Sequence, residues 1–181
     1  MNEINMDIMK SKSPSLAIVV PCYNEKDAFP FCLDGLTSVL SNLISKGKIS
    51  DKSYILFVDD GSRDDTWEQI KAASCKNSFV RGLKLSRNRG HQIALMAGLS
   101  NADTDVTVSI DADLQDDISC IEKMIDKYHE GFEIVYGVRD NRDSDSVFKR
   151  TTANKFYSLM SWLGVNQVPN HADFKIGRAH V

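Results

Sequence analysis

The sequence has no Cys-x-x-Cys pair, no Gly-x-x-x-x-Gly-Lys-Ser/Thr loop and no Gly-x-Gly-x-x-Gly behind its first apolar run. It also has no apolar stretch near the ~20 residues of a membrane span. Each absence removes a class of function. Cys22, Cys32, Cys75 and Cys120 lie scattered, which argues against a zinc site or a small disulfide scaffold and fits core thiols in a reducing compartment. Without the glycine loops, the usual dinucleotide binding and P-loop hydrolysis lose support. Residues 1–13 are polar, lack the apolar centre of a signal peptide and are expected to form a flexible N-terminal segment. A net charge of −3 gives no bulk attraction to nucleic acid, so no nucleic-acid partner is expected. The chain in hand reads as cytoplasmic and non-spanning.

What is present suits one globular domain: 181 residues, 42% apolar and 26% charged. Short β-rich runs alternate with helical periodicity. Strands are expected at Leu16–Val20, Tyr54–Val58, Phe79–Leu85, from Val106 to about Ile110, and at Glu133–Gly137. Between the first two, Phe31, Leu36, Val39, Leu40 and Leu43 mark a helix that tolerates Pro30 in its first turn and ends at Lys46-Gly47. Ser62-Arg-Asp-Asp65 reads as a capping box for a second helix, while Asp59 and Asp60 have no such duty. The basic loop Ser86–His91 is placed to meet phosphates and leads into a helix through Ile93, Leu95, Met96 and Leu99. A further helix is expected from about Ile118 to Tyr128. This alternation predicts an α/β fold with a mostly parallel, doubly wound sheet.

The chemistry is expected at the end of the fourth strand. There Asp111-Ala-Asp113-Leu-Gln115 follows Val106, Val108 and Ile110, and ligands of open α/β sheets bind beyond the carboxyl ends of strands. Two hard oxygen ligands one residue apart, with Gln115 as a neutral third, suit a Mg²⁺ or Mn²⁺ shared with substrate phosphates. The competing explanation is that Asp113, Asp116 or Asp117 merely caps the next helix. Asp103-x-Asp105 and Asp143-x-Asp145 have the same spacing but no strand feeding them, and read as solvated loop or cap carboxylates. Residues 146–164 carry Phe148, Phe156, Leu159, Met160 and Leu163 with Lys149, Arg150 and Lys155. This is either a helix packed on the sheet or a basic amphipathic helix on an anionic membrane surface. His171-x-Asp173 has no strand of its own and reads as a hydrogen-bonded loop.

Five segments in order, Val20-Pro-Cys-Tyr-Asn-Glu25, Val58-Asp-Asp-Gly-Ser62, Leu85-Ser-Arg-Asn-Arg-Gly90 with Ala97-Gly-Leu99, Ile110-Asp-Ala-Asp-Leu-Gln115 and Asn170-His-Ala-Asp-Phe174, resemble the GT-A fold family 2 glycosyltransferases. The closest likeness is to the dolichol-phosphate mannosyltransferase and bactoprenol-phosphate glucosyltransferase branch. The resemblance implies a Rossmann-like GT-A domain over residues 14–174. It further implies inverting transfer of a sugar, glucose, mannose or related, from a nucleotide-diphosphate sugar to a polyprenyl phosphate at the cytoplasmic face of a membrane. By that analogy Pro21, Tyr23, Asn24, Glu25, Asp59, Asp60, Asp111, Ala112, Asp113 and Gln115 form the donor site. Asp111, Asp113 and Gln115 would hold the Mg²⁺ or Mn²⁺, Arg139 and Arg142 would meet phosphate oxygens, and Asp113 with Asp173 would be catalytic, Asp173 at the acceptor end. Homo-oligomerisation is compatible with this branch. Residues 175–181 depart from it: Ile176-Gly-Arg-Ala-His-Val181 looks like translated adapter and is expected to be a non-native tail. The transmembrane helices that commonly follow in the branch are absent too.

Other functions remain open on the sequence. A soluble family 2 enzyme acting on a saccharide hydroxyl would carry the same core segments. An aspartyl phosphatase could use Asp111 and Asp113, although Gln115 stands where such enzymes usually have a hydroxyl residue. A nucleotide-sugar-binding module without turnover is the non-enzymatic alternative.

Overall fold

The computed structural model describes residues 13–115, 117–138 and 171–178. In chain order these form β1 (Leu16–Cys22), α1 (Phe29–Ser45), β2 (Tyr54–Asp59), α2 (Thr66–Lys76), β3 (Val80–Lys84), α3 (His91–Ser100), β4 (Val106–Ser109), α4 (Cys120–His129), β5 (Ile134–Val138) and β6 (His171–Arg178). The sheet order is β3-β2-β1-β4-β6-β5. The first four strands of that order are parallel, and β6 runs antiparallel to both β4 and β5. The five expected strands are all present, and the doubly wound α/β architecture holds.

β1 and β2 are buried along their whole length, as expected where helices cover both faces of a parallel sheet. Their side chains divide by the two-residue period of a strand. Leu16, Ile18 and Val20 join Leu36, Leu40 and Leu43 of α1 and Ile121 and Ile125 of α4 in one core. Ala17, Val19, Leu56 and Val58 face Ala94 of α3 in a second. Each fully buried Leu or Ile contributes roughly 1.5–3 kcal/mol, so the three-leucine stripe is enough to seat α1. The stripe is rotated from the one expected: Phe29 and Cys32 point inward, and Phe31 is exposed. Cys32 and Leu36 are four residues apart and share a face, whereas Phe31, five residues before Leu36, falls off it. α3 lies so close to the sheet that a Cβ on Gly98 would stand 2.4 Å from a Val19 methyl carbon.

Pro21 sits inside a central strand, where proline is normally excluded. The hydrogen bonds explain it. The Asp60 N–H donates to the Cys22 carbonyl on the β2 side, and the Ile110 N–H donates to the Val19 carbonyl on the β4 side. By alternation the missing N–H of Pro21 would point to the β4 side, and β1–β4 pairing has already ended at Val19 and Ser109.

Two expectations are corrected here. The Ser62–Asp65 capping box does not form: α2 starts at Thr66 with Asp65 at the N-cap and no side-chain cap bond. Ser62 Oγ instead accepts the Asn24 N–H, and Asp64 accepts the Thr66 N–H and hydroxyl. His171 and Asp173, expected in a loop, lie in β6. Their strand was hidden because an antiparallel insertion between β4 and β5 has no βαβ spacing to announce it. Lys175–Arg178, assigned on sequence to the tail, pair with Val106–Ser109. The stretch 146–164, Arg139, Arg142, Asp116 and the Asp143–Asp145 pair lie outside the described residues.

Behind the sheet, Lys46 and Lys48 tie the end of α1 to Glu122 and Asp126 of α4 at 2.6–2.9 Å. Hydrogen bonds from both ammonium groups pull the Glu122 carboxyl down from 4.5 to about 2. A carboxylate depressed in the folded state contributes stability that is complete above its unfolded pKa and is lost as pH falls through the folded one. Glu122→Gln is therefore expected to melt below the parent at neutral pH. The gap should close between pH 4.5 and about 2, as followed by thermal denaturation across pH.

Candidate active site

At the carboxyl ends of β1 and β4 the loops enclose a cleft of about 290 Å³. Pro21, Cys22, Tyr23 and Glu25 line it from β1, Asp60 from β2, Asn88, Gly90, His91 and Ala94 from the start of α3, and Asp111, Ala112 and Asp113 from β4. The structure thus brings together seven of the sequence-predicted residues: Pro21, Tyr23, Glu25, Asp60, Asp111, Ala112 and Asp113. Asn24, Asp59 and Gln115 do not line the cleft. Asn24 is in the left-handed region at φ 57°, its amide oxygen accepting the Arg63 N–H at 2.8 Å. It shapes the wall, as asparagine tolerates that conformation. Asp59 is fully buried beneath: one oxygen accepts the Ser62 N–H at 3.3 Å, and the other has no hydrogen-bond partner among the described residues, with Lys84 Nζ 3.9 Å away.

Asp60, for which the sequence offered no structural duty, has one. Its two oxygens accept the Arg89 and Gly90 N–H groups at 2.7 and 2.9 Å, fixing the loop before α3. Gly61 makes this contact possible. At φ 68° it occupies a region unfavourable to L side chains, and a Cβ there would stand 2.6 Å from the Arg87 carbonyl carbon and the Asn88 nitrogen. Gly61→Ala is expected to cost about 2 kcal/mol from backbone conformation alone, and more from the clash, so denaturant unfolding should show a loss above that figure. Both atoms it would strike are backbone, which cannot rotate away.

The β4 end folds into a tight turn. The Leu114 N–H donates to the Asp111 carbonyl at 3.3 Å and the Gln115 N–H to Asp113 Oδ1 at 3.2 Å. Leu114 takes φ 50°, a costly conformation for a γ-branched residue of the kind that persists where a site requires it. Asp113 is therefore not the cap of α4. The loop carboxylate there is Asp117, which accepts the Ser119 N–H and hydroxyl. Asp105 is tied to the Ser15 N–H and hydroxyl at 2.8 and 2.7 Å, in keeping with a loop role.

Carboxylates dominate the electrostatics. Burial, then the charges of Asp113, Asp64 and Asp111, push the Glu25 carboxyl above its usual value. Burial, then Glu25 and Asp113, push the Cys32 thiol up to about 12, and burial raises Cys22 as well. Both thiols stay protonated, so they are not nucleophiles. Among the described residues no three His, Cys, Asp or Glu side chains already converge on a metal position. A hard divalent ion that takes one or two carboxylates and completes its shell with phosphate oxygens needs no such cage. The concentrated negative charge around Asp111 and Asp113 fits that kind of ion. Gln115, exposed and outside the cleft, gives no support as a third ligand.

His91 reads in the sequence only as the last residue of the basic loop, with no place among the donor-site residues. It opens α3, lines the cleft and places Nε2 3.7 Å from Asp111 Oδ1. The signal was the position of Gly90-His91 where a strand-end loop turns into a helix. Asp173 gains a place from register. The antiparallel β4–β6 ladder ends with Ser109 opposite Lys175, and Asp173, two residues before Lys175 in β6, lies past that last pair toward the carboxyl end of β4.

The sequence profile of the family described as "Glycosyl transferase family 2" matches residues 17–179. The uncharacterized glycosyltransferase YkoT of Bacillus subtilis (strain 168) is 54% identical over 170 residues, covering 93% of this chain and 50% of that protein. The prophage bactoprenol glucosyl transferase homolog of Escherichia coli (strain K12) is 34% identical over 165 residues, covering 89% of this chain and 51% of that one. The chain thus spans about half the length of the curated relatives it matches. Residues 1–349 of TarS from S. aureus share the fold at TM-score 0.53 and 17% identity, over 91% of this chain and 47% of that one. With a profile running through every strand from β1 to β6, a GT-A sheet and the acidic turn at the end of β4, the chain belongs to glycosyl transferase family 2.

Proposed function

We propose that this chain carries the donor site of an inverting, metal-dependent glycosyltransferase. It would move a hexose from a nucleotide-diphosphate sugar to a polyprenyl phosphate at the cytoplasmic face of a membrane. The observation that carries this reading is the acidic cleft at the ends of β1 and β4, where Asp111 and Asp113 stand beside Glu25 and Asp60. The lipid acceptor is supported by the relatives named as bactoprenol glucosyl transferases.

On this reading Pro21, Tyr23 and Glu25 cradle base and ribose, with Asn24 shaping the turn. Asp59, fully buried with Lys84 Nζ 3.9 Å from its second oxygen, is assigned to supporting the nucleotide end from beneath and not to lining the cleft. Asp111 and Asp113 would hold the divalent ion of the donor complex, and His91, with Nε2 3.7 Å from Asp111 Oδ1, orients Asp111. When bound, that ion supplies Lewis-acid stabilisation of the charge that develops on the departing diphosphate. Arg139 and Arg142, outside the described residues, are assigned to the same phosphate oxygens. The acceptor phosphate monoester is already largely ionised near neutral pH, its second pKa being ~6. Asp173 accordingly orients the acceptor more than it takes a proton.

Incubation of labelled nucleotide sugars with this protein and a short polyprenyl phosphate, in parallel with saccharide acceptors, tests the proposal. Label entering the organic phase only with a divalent cation is the expected result. Label transferred to a saccharide and never to the lipid would overturn the acceptor assignment.

A further inference from the structure

Between Gln69 and Ala102 the chain has no Asp or Glu but six cations: Lys71, Lys76, Arg81, Lys84, Arg87 and Arg89. In a protein of net charge −3 this makes the stretch from α2 through α3 cationic along the sequence. Several of the six are engaged within the fold. Arg81 stacks on Tyr54 with Cζ 3.6 Å from the ring centre, Lys84 lies over Trp67, and Lys71 pairs with Glu68. Arg87 and Arg89 are exposed and make no ion pair among the described residues.

The loop that presents them is held in place: the Arg89 N–H is bound by Asp60 and the Arg87 backbone is pressed on Gly61. Directly behind it on α3, Ile93 and Met96 are 54% and 60% exposed. They stand three residues apart on the outward side of the helix, away from Ala94 and Gly98, which meet the sheet. Exposed and cleft-lining residues are interleaved along this one stretch: Asn88, Gly90, His91 and Ala94 border the cleft, while Arg87, Arg89, Ile93 and Met96 face out from its rim.

We propose that Arg87, Arg89, Ile93 and Met96 form a docking surface for an anionic lipid bilayer, which sets the mouth of the cleft against the membrane. Arginines beside projecting aliphatic side chains match phosphate headgroups above acyl chains. A single-stranded nucleic acid would instead call for aromatic stacking partners between the cations, and this surface offers none. The proposal extends the lipid-acceptor reading by placing a membrane-borne phosphate next to the donor site.

Flotation of the whole chain with vesicles tests it, using phosphatidylcholine alone and phosphatidylcholine with about 30% phosphatidylglycerol. The protein is expected to partition to the anionic vesicles and not to the neutral ones. Each cation near such a surface contributes roughly fivefold, so Arg87→Gln with Arg89→Gln should lower partitioning about 25-fold. Ile93→Ser with Met96→Ser should remove the part that survives high salt. All four side chains are exposed, so circular dichroism should show both variants folded. Equal partition to neutral vesicles, unchanged partition of either variant, or displacement by duplex DNA as effective as by free anionic vesicles would overturn the surface. Donor binding, measured separately by calorimetry, distinguishes the two readings: a chain that binds nucleotide sugar but ignores anionic vesicles contradicts only the docking surface. A chain that binds vesicles but no nucleotide sugar contradicts only the function.

Discussion

Asp113→Ala is expected to lower affinity for a nucleotide-diphosphate sugar in the presence of Mn²⁺ by about 100-fold, and to make the remaining binding indifferent to the metal. Losing merely a group that supports a metal ligand costs about 10–100-fold, and Asp113 is proposed as a ligand itself. The fold has little stake in this side chain. Asp113 is exposed, its one described hydrogen bond is from the Gln115 N–H within its own turn, and α4 is not capped by it. The melting temperature should therefore not fall; relief of the repulsion that pushes Glu25 up should raise it slightly. Calorimetry of donor binding with and without Mn²⁺ reads the first effect. Retention of metal-dependent affinity in the folded variant would move the metal away from Asp113.

Asp173→Asn is expected to leave donor affinity in place and to lower transfer to polyprenyl phosphate by about 100-fold, the loss typical of a positioned acid–base group. The antiparallel run of β6 along β4 is the physical reason, because it carries Asp173 past the last pair, Ser109–Lys175, toward the end of the sheet where the cleft opens. Asparagine preserves size and hydrogen bonding but removes the charge that orients an acceptor. The comparison requires kcat and donor affinity from the same preparation. Near-normal transfer refutes the role, and a fall in donor affinity with unchanged turnover would place Asp173 at the nucleotide end.

Much of the parallel half of the fold was legible because its signals are local. The β-branched runs at Leu16–Val20, Tyr54–Val58 and Val106–Ile110 are buried on both faces, and the acidic turn sits where βα topology places a ligand site. Three features were not legible. β6 pairs across more than sixty residues of sequence with β4, a contact no local pattern encodes. Ser62 met the spacing of a capping box, but the hydroxyl bonds Asn24 across the cleft wall, a tertiary partner outweighing a local one. Asp60 looked uncommitted because its partners are backbone N–H groups about thirty residues further on. His91 carried only its place at a helix start, and its distance to Asp111 depends on the packing of α3 against β1. The family resemblance supplied roles that spacing alone left open between metal ligand and helix cap; the turn at Asp111–Gln115 narrows that choice by removing Asp113 from α4.

The central claim, that the acidic cleft binds a nucleotide-diphosphate sugar through a divalent cation, is tested most directly by thermal unfolding of this chain with a panel of nucleotide sugars, with Mn²⁺ or with chelator. A ligand at about 100 times its Kd stabilises by ~2.7 kcal/mol, which for a chain of this size raises the melting temperature by about 5–10 °C. The account predicts such a rise for at least one nucleotide sugar with Mn²⁺ and its loss in chelator. No rise with any donor, or an equal rise in chelator, would contradict it.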